Sequence, residues 1–376
     1  MWEPEVRADR HAFYARVRAV GAPVLQVHPD TAERFWIVAR YADVRDGLTH
    51  PDLGHQLAGT PEPATLLERL DARQLINLDP PEHTQLRALV SRAFTPRAVA
   101  ALEPRVVAIV DALIDAALER GTFDGVAELG EPMPVAVIAE LIGVPEEDRG
   151  RFRAWSAAIM SGEDRDMATL AFAAWVDALA DERAARPRED LVSALAALEG
   201  LAREDLIAMV QLLLIAGQET AVYTIVNGLR ALLSHPEQWA ALCADPLLAA
   251  LAVEEILRFD GPVEIAPPRF AQRDVWLGGT IPAGERVGLA LLGANRDPEV
   301  FSRPNAFDIQ RGESGRQLGF GHGIHYCLGA GLGRLEARVM FRRLAERMPG
   351  LQLAEDPGGG WIAPHSGTLP LAVSRP

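Results

Sequence analysis

With 376 residues, 49% apolar and 24% charged, the chain has enough material for one large domain or two ordinary ones, and enough to enclose an internal cavity. A formal net charge of −15 argues against a nucleic-acid partner, and all 37 basic residues are arginine. The only two cysteines, Cys243 and Cys327, are far apart and unlike a disulfide framework. No apolar run reaches about eighteen residues and the opening MWEPEVRADRHAF is charged, so neither a membrane anchor nor a signal peptide is expected and a soluble cytoplasmic protein is.

Periodicity predicts a helix over 9–20, then short strands over 24–27 and 35–38 with Pro29 and Asp30 turning between them. A helix over 40–48 stops before Pro51. Residues 49–75 show no period and scattered Gly, Pro, His and Thr, and read as a mobile loop. In NLDPPEHTQLR (77–87), Asp79 is a candidate N-cap, Pro80 and Pro81 suit a first helical turn and Glu82 complements the helix dipole. His83 and Arg87, four apart, share a helix face; by type alone they are two exposed polar residues. From 101 to 196 amphipathic helices follow one another, broken at Gly121, 130–134, 143–145 and Pro187. Trp155, Met160, Met167 and Phe172 there suit core packing, or the roof of a ligand pocket.

Residues 203–234 form the longest helical pattern, roughly 45 Å at 1.5 Å per residue, stopped by Pro236. Its middle, LLIAGQET (213–220), is apolar up to Gly217 and the polar pair Glu219 and Thr220. Gly and Thr are poor choices inside a buried helix, so a local break or bulge is expected. The competing reading is a Thr220 hydroxyl bonded to a carbonyl one turn earlier. Another helix spans 251–259, with Glu255 and Arg258 three apart on one face. Residues 262–269 are extended, because those before Pro267 and Pro268 are pushed toward β or polyproline geometry. Residues 274–287 read as a hairpin around Gly278 and Gly279. Cys243, in a helical run, is a packing residue.

The most specific stretch is QLGFGHGIHYCLGAGLGRLE (317–336), where Cys327 sits at the change from a glycine-punctuated loop to a helix striped with Leu328, Leu332, Leu335 and Val339. A sulfur at a helix N-terminus meets the positive end of the dipole, which favours the thiolate. The glycines let the backbone approach a flat or bulky group. Three readings are open at this point: a buried packing cysteine, a zinc site with His322 and His325, or a thiolate ligand to haem iron. The spacing H-x-x-H-x-C fits no usual zinc pattern.

The string FGHGIHYCLG resembles the FGxGxHxCLG signature of the cytochrome P-450 superfamily, the haem-thiolate monooxygenases. The stretch 79–87 is similar to that family's DPPEHTxxR element, 216–220 to its AGxET element, 255–258 to its E-x-x-R element and 262–269 to its PVxxxxxR strand, all in the family's order. The resemblance covers essentially the whole chain. It implies a mainly α fold forming a single domain over 1–376, with a small β-rich subdomain drawn from the N-terminal and 260–320 regions, and haem b between the long central helix and the Cys327 helix.

Residue by residue, it implies Cys327 as the axial iron ligand, and His83, Arg87, Arg269 and His325 as haem contacts, the guanidinium fork matching a propionate. Ala216, Gly217, Phe320 and Gly329 would also line the haem, Phe320 and the N–H groups near Leu328 shielding the sulfur. Thr220 would hydrogen-bond bound dioxygen and Glu219 relay protons. Leu75, Leu213, Val263, Ile265, Ala266 and Thr368 would line the substrate pocket, and Glu255, Arg258 and Arg311 would form a buried scaffold network. The activity implied is insertion of one atom of O2 into a small apolar organic substrate; a peroxide-driven peroxygenase and a non-enzymatic haem sensor are the alternatives. No flavin or iron–sulfur cysteine pattern occurs, so electrons would come from outside. Arg334, Arg338 and Arg342, extended by Arg92 and Arg97, form a basic stripe suited to an acidic ferredoxin with its NAD(P)H-dependent reductase, or else an ordinary salt-bridged face. The expected state is a monomer with no membrane or nucleic-acid partner.

Overall fold

Helical periodicity dominates the sequence, and helices dominate the computed structural model, which describes residues 6, 9–57, 62–162, 164–355 and 367–373. In chain order the helices are α1 (Arg10–Val20), α2 (Tyr41–Thr49), α3 (Leu66–Ala72), α4 (Glu82–Val90), α5 (Pro96–Ala101), α6 (Glu103–Arg120), α7 (Pro132–Ile142) and α8 (Arg149–Ser161). They continue with α9 (Arg165–Ala185), α10 (Leu191–Ala196), α11 (Arg203–Leu233), α12 (Pro236–Ala244), α13 (Ala249–Asp260), α14 (Leu291–Ala294) and α15 (Ala330–Arg347). The strands are β1 (Val24–Val27), β2 (Arg34–Val38), β3 (Leu53–Gly54), β4 (Thr122–Asp124), β5 (Arg269–Ala271), β6 (Val275–Trp276), β7 (Thr280–Ile281), β8 (Arg286–Leu289), β9 (Leu351–Leu353) and β10 (Pro370–Val373).

Strands β1, β2 and β3 share one five-stranded sheet with β5 and β8, in the order β1-β2-β8-β5-β3. Within it β2 runs parallel to β8, Trp36 opposite Val287. The hairpin predicted over 274–287 is shorter than expected: β6 and β7 close on each other, and β8 leaves to join the large sheet. The expected loop over 49–75 also differs, for it holds β3 and α3. A capping box starts α3: the Thr65 hydroxyl accepts from the Glu68 N–H, and the Glu68 carboxylate accepts from the Thr65 N–H.

The 31-residue α11 runs through the middle and belongs to two cores. Its first half, including Leu206, Met209, Val210 and Leu214, packs with α7 to α10. Its second half, including Val222, Val226 and Leu229, packs with α6, α13 and α15. Burying each such side chain stabilises by roughly 1.5–3 kcal/mol, which is how a helix with Gly and Thr at its centre is held. By length and composition α11 is apolar enough to cross a membrane, but here it is the protein's buried axis. The predicted break near Gly217 is absent, and α11 is α-helical throughout. Gly217 serves packing: a Cβ there would lie 3.2 Å from Ile138 of α7. The Thr220 hydroxyl donates to the Ala216 carbonyl at 2.6 Å, as the back-bonding reading had it.

On α13, Glu255 is wholly buried. Both its oxygens accept from the fully buried Arg258, at 2.7 Å each. Arg311 Nε (3.2 Å), the Asp308 N–H (2.9 Å) and the Ser314 hydroxyl (2.7 Å) complete its shell. The spare N–H groups of Arg258 and Arg311 donate to the carbonyls of Asn295, Arg303, Pro304 and Ala306. Residues 302–314 are thereby clipped to α13. Glu255→Gln strands two buried guanidinium groups, and the expected loss is about 3–5 kcal/mol. Urea unfolding of the variant beside the unaltered chain measures it, and a loss below about 1 kcal/mol would contradict this role.

Candidate functional site

Cys327 lies at the end of the loop that this network holds. Its N–H donates to the Phe320 carbonyl at 2.8 Å, closing the loop on itself. Gly323 has φ +75°, and a Cβ on it would lie 2.7 Å from Thr49 of α2, so no side chain fits there. Helix α15 begins at Ala330, and the Gly329 N–H donates to the sulfur. Burial nonetheless pushes the Cys327 thiol up, with Gly329, Arg87 and Arg334 pulling the other way. Desolvation thus outweighs the helix N-terminus, contrary to the expectation from sequence; a metal cation on the sulfur is what favours the thiolate in such a place. The surface that Cys327 exposes belongs to the wall of an internal cavity. Among the described residues no group of three or more His, Cys, Asp or Glu could hold a metal, which removes the zinc reading with His322 and His325.

The cavity encloses about 1720 Å³ of space, counting its open mouth, and its wall is largely apolar. One part carries a cluster of donors. Arg87, Arg269, His55 and His325 are on the wall, and His83 stands behind His325 with ring centres 4.1 Å apart. The His55 ring lies 4.5 Å from His325 on another side. Arg269 is buried on β5 and Arg87 is half-buried on α4, donating to the Tyr326 carbonyl at 2.6 Å. Burial and the neighbouring cations push His55 down to about 4 and His325 down to about 2, so both rings are neutral near pH 7. Several buried nitrogens in the cluster have no partner: His55 Nε2, both of His83, Arg269 Nε and His325 Nε2. Buried donors without acceptors are rare, and together these suit a ligand carrying carboxylates. A planar group bearing two propionates, with a metal facing Cys327, fits this donor set.

Asp79 does not cap α4. Pro80 and Pro81 offer no N–H to its side chain, and its carboxylate instead accepts from the N–H groups of His55 and Gln56, at 2.8 and 3.2 Å. That contact fixes the strand end carrying His55, which sequence reading left inside the loop. His55 has no local pattern around it; only its tertiary neighbours mark it.

Of the pocket residues expected from sequence, Leu75, Leu213, Val263 and Ala266 line the cavity, as do Ala216, Gly217, Thr220, Phe320 and Gly329. Ile265 does not. Adjacent residues of an extended chain face opposite ways, and with Ala266 inward Ile265 packs against the cluster of Phe13 and Tyr14. Thr368 is exposed and off the wall, because the Leu369 N–H donates to the Asp124 carboxylate and ties that stretch to the sheet of β4, β10 and β9. Residue 366, two positions before Thr368, lies outside the described residues. Glu219 is exposed and off the wall; it faces Tyr223, whose hydroxyl is pushed up by burial and then by Glu219. Ile76, Phe94, Met209, Thr224 and Glu336 line the cavity without having been singled out.

The basic stripe after Cys327 is largely neutralised. Arg334 pairs with Glu254 (2.5 Å), Arg338 with Glu103 (3.1 Å) and Arg342 with Glu346 (2.8 Å). Arg92 and Arg97 are exposed and, among the described residues, make no ion pair.

A family model for "Cytochrome P450" matches residues 176–347. The chain is 44% identical to the cytochrome P450 monooxygenase PikC of Streptomyces venezuelae over 362 residues, 93% of this chain and 86% of that protein. It is 43% identical to a vitamin D(3) 25-hydroxylase of Pseudonocardia autotrophica over 360 residues, 92% and 87% of the two. Among solved structures, a myxobacterial cytochrome P450 in complex with myristic acid matches with a TM-score of 0.89 and 40% identity, over 100% of this chain and 99% of that one. The cytochrome P450 PksS of the Bacillus subtilis bacillaene polyketide synthase matches at 0.91 and 30% identity, over 100% of both.

Arg269→Leu removes a buried charged donor from the cavity wall while keeping bulk on β5. One charge-assisted hydrogen bond is worth about 1.5–3 kcal/mol, so transfer of haem from the loaded protein to apomyoglobin is expected to speed by roughly tenfold to a hundredfold. An unchanged transfer rate would remove Arg269 from the cofactor site.

Proposed function

The chain belongs to the cytochrome P450 family, and from that premise we propose how its own residues divide the work of a haem-thiolate monooxygenase acting on a small organic substrate with O2 and a redox partner. When bound, haem supplies the activation of dioxygen and the insertion of one oxygen atom into the substrate. The observation that carries the assignment is one apolar cavity whose wall holds Cys327, the cluster of Arg87, Arg269, His55 and His325, and Thr220.

In this reading Cys327 ligates the iron. Phe320 and the Gly329 N–H shield and stabilise the sulfur. Arg87, Arg269, His325 and His55 hold the propionates, and His83 supports His325 from behind. Ala216 and Gly217 keep α11 low enough over the cavity for a flat group to lie beneath it. Thr220 holds a proton at Oγ1, and the bond it now donates to Ala216 is one it can exchange for a partner in the cavity. Glu219, at the solvent side of the same helix turn, collects protons and passes them inward. Leu75, Leu213, Val263 and Ala266 exclude water and select an uncharged, apolar substrate.

The electron donor is an acidic ferredoxin served by an NAD(P)H-dependent reductase. Arg97 is on α5, which packs against the Cys327 helix through Val99 and Gly331, and with Arg92 five residues earlier it offers positive charge that is unpaired among the described residues. The cavity wall runs from Leu48 to Ala337, which supports one functional domain.

Thr220→Ala is expected to keep the substrate-induced change in the haem spectrum while product per NADPH falls about tenfold and hydrogen peroxide rises to match. Unchanged coupling would remove Thr220 from proton delivery. The assignment of Cys327 is read from the ferrous carbonyl complex: its Soret band is strongly red-shifted in the unaltered protein, and a Cys327→His variant loses that shift.

A further inference from the structure

Seven residues after Cys327, Arg334 opens the second turn of α15, and its guanidinium is fully committed. Nε and Nη2 donate to the two oxygens of Glu254, at 2.5 and 3.1 Å. Nη1 donates to the Tyr326 hydroxyl at 2.9 Å. The central carbon of the group lies over the Phe320 ring, 4.4 Å from its centroid. A guanidinium fork meets a carboxylate along its edge and leaves its face for an aromatic ring, whose quadrupole attracts the cation.

Phe320 carries this contact to the sulfur. Its carbonyl accepts the Cys327 N–H at 2.8 Å, and both residues are on the wall of the cavity. Glu254 is held in place as well. Gln317, in the loop before Cys327, donates to it at 3.1 Å, and the same side chain accepts from the Gly319 N–H. One carboxylate thus joins α13, the Cys327 loop and α15, and neither charge of the pair is free to swing away.

Two cations act on the sulfur, Arg87 and Arg334, and both oppose the effect of burial on its thiol. Arg87 is on the cavity wall, where a cofactor carboxylate answers its charge. Arg334 is off the wall, and its anionic partner among the described residues is Glu254 alone. An ion pair is a dipole, and its field cancels at a third atom only when both ends are equally far from it. Here the guanidinium is the end that lies on Phe320.

We propose that Arg334 is a positioning residue for the charge on the thiolate: fixed over Phe320, it draws electron density from the Cys327 sulfur and raises the reduction potential of the loaded protein, with Glu254 as its counterweight. The proposal rests on the haem-thiolate reading. One electron from the redox partner makes the haem–thiolate unit one charge more negative, and a fixed cation nearby favours that state. No bond forms or breaks, and Arg334 and Glu254 keep their protons as they were.

Spectroelectrochemical titration of the haem-loaded protein tests this. Arg334→Gln is expected to move the reduction equilibrium about tenfold toward the oxidised form, a fall of about 59 mV for one electron. Glu254→Gln is expected to move it roughly threefold the other way, because the cation then acts unopposed. Arg334→Lys keeps the charge and is expected to stay within about twofold of the unaltered protein. The ferrous carbonyl complex gives a second readout: the C–O stretching frequency falls in Arg334→Gln, where the sulfur donates more strongly, and rises in Glu254→Gln.

Opposite signs are the signature, since mere loosening of the loop would move both variants the same way. An unmoved potential in Arg334→Gln overturns the proposal, as does a shift of one sign in both variants. It is also overturned if Arg334→Gln only raises the KM for ferredoxin, which is what a docking residue does. Should Arg334→Gln fail to hold haem, the sign of the Glu254→Gln shift decides alone. If the unaltered protein lacks the red-shifted carbonyl spectrum, the thiolate assignment itself has failed, a separate result from any of these.

Discussion

The position of the Cys327 sulfur depends on the shell around Glu255, which lies on another helix. A carboxylate without solvent is tolerable only when each lone pair is engaged, and this one accepts from two guanidinium groups, one backbone N–H and one hydroxyl. Those donors come from α13 and from residues 308–314, so the charge can be satisfied in only one arrangement of the chain. The constraint is then passed along: the Asn295 side chain accepts from the Leu318 N–H, and the Phe320 carbonyl accepts from the Cys327 N–H. An apolar core of the same volume could be as stable, but it would not dictate the register of a glycine-rich loop. Here directional bonds take over the task that side-chain packing performs elsewhere.

Charge is distributed against the overall balance. The chain carries −15, yet the donors gathered on and just behind one part of the cavity wall are two arginines and three imidazoles, with Asp79 spent on the N–H groups of His55 and Gln56. Neutral imidazoles donate a hydrogen bond without adding to the desolvation cost, so a compact group of five donors can be buried around two fixed charges. On the outside the opposite holds. Arg334, Arg338 and Arg342 of α15 are paired with Glu254, Glu103 and Glu346, and Arg343 and Arg347 with Asp111, which leaves Arg97, unpaired among the described residues, on the helix that packs against α15.

What could be read from the sequence was whatever is local along the chain. The Cys327 loop, the Glu255 and Arg258 pair and the long helix each declare themselves within a few turns of chain. Failures came where a neighbour distant in sequence decides. His55 acquires meaning only beside His325, and Ile265 is turned outward by the pairing of its extended segment. Thr368 is drawn away by the bond between Leu369 and Asp124. The missed helix α3 is different, because Thr65 and Glu68 spell a capping box that scattered glycine and proline masked. At Asp79 a valid local rule failed because its carboxylate is taken by the N–H groups of His55 and Gln56, more than twenty residues away.

The central helix shows how polar chemistry survives in a buried rod. Gln218 and Asn227 point away from the cavity and are taken up by Ser156 and by the Asp260 carbonyl. On the cavity side, Thr220 and Thr224 bond to carbonyls one turn back, which belong to the helix already. A carbonyl has two lone pairs, so the helix loses no backbone bond when such a hydroxyl turns away, and the exchange costs only about 0.5–1.5 kcal/mol. A break in the helix at Gly217 would have opened the same carbonyls permanently to water. Keeping α11 continuous, with hydroxyls that can turn, leaves an apolar cavity wall with polar groups at chosen points and no backbone bond given up.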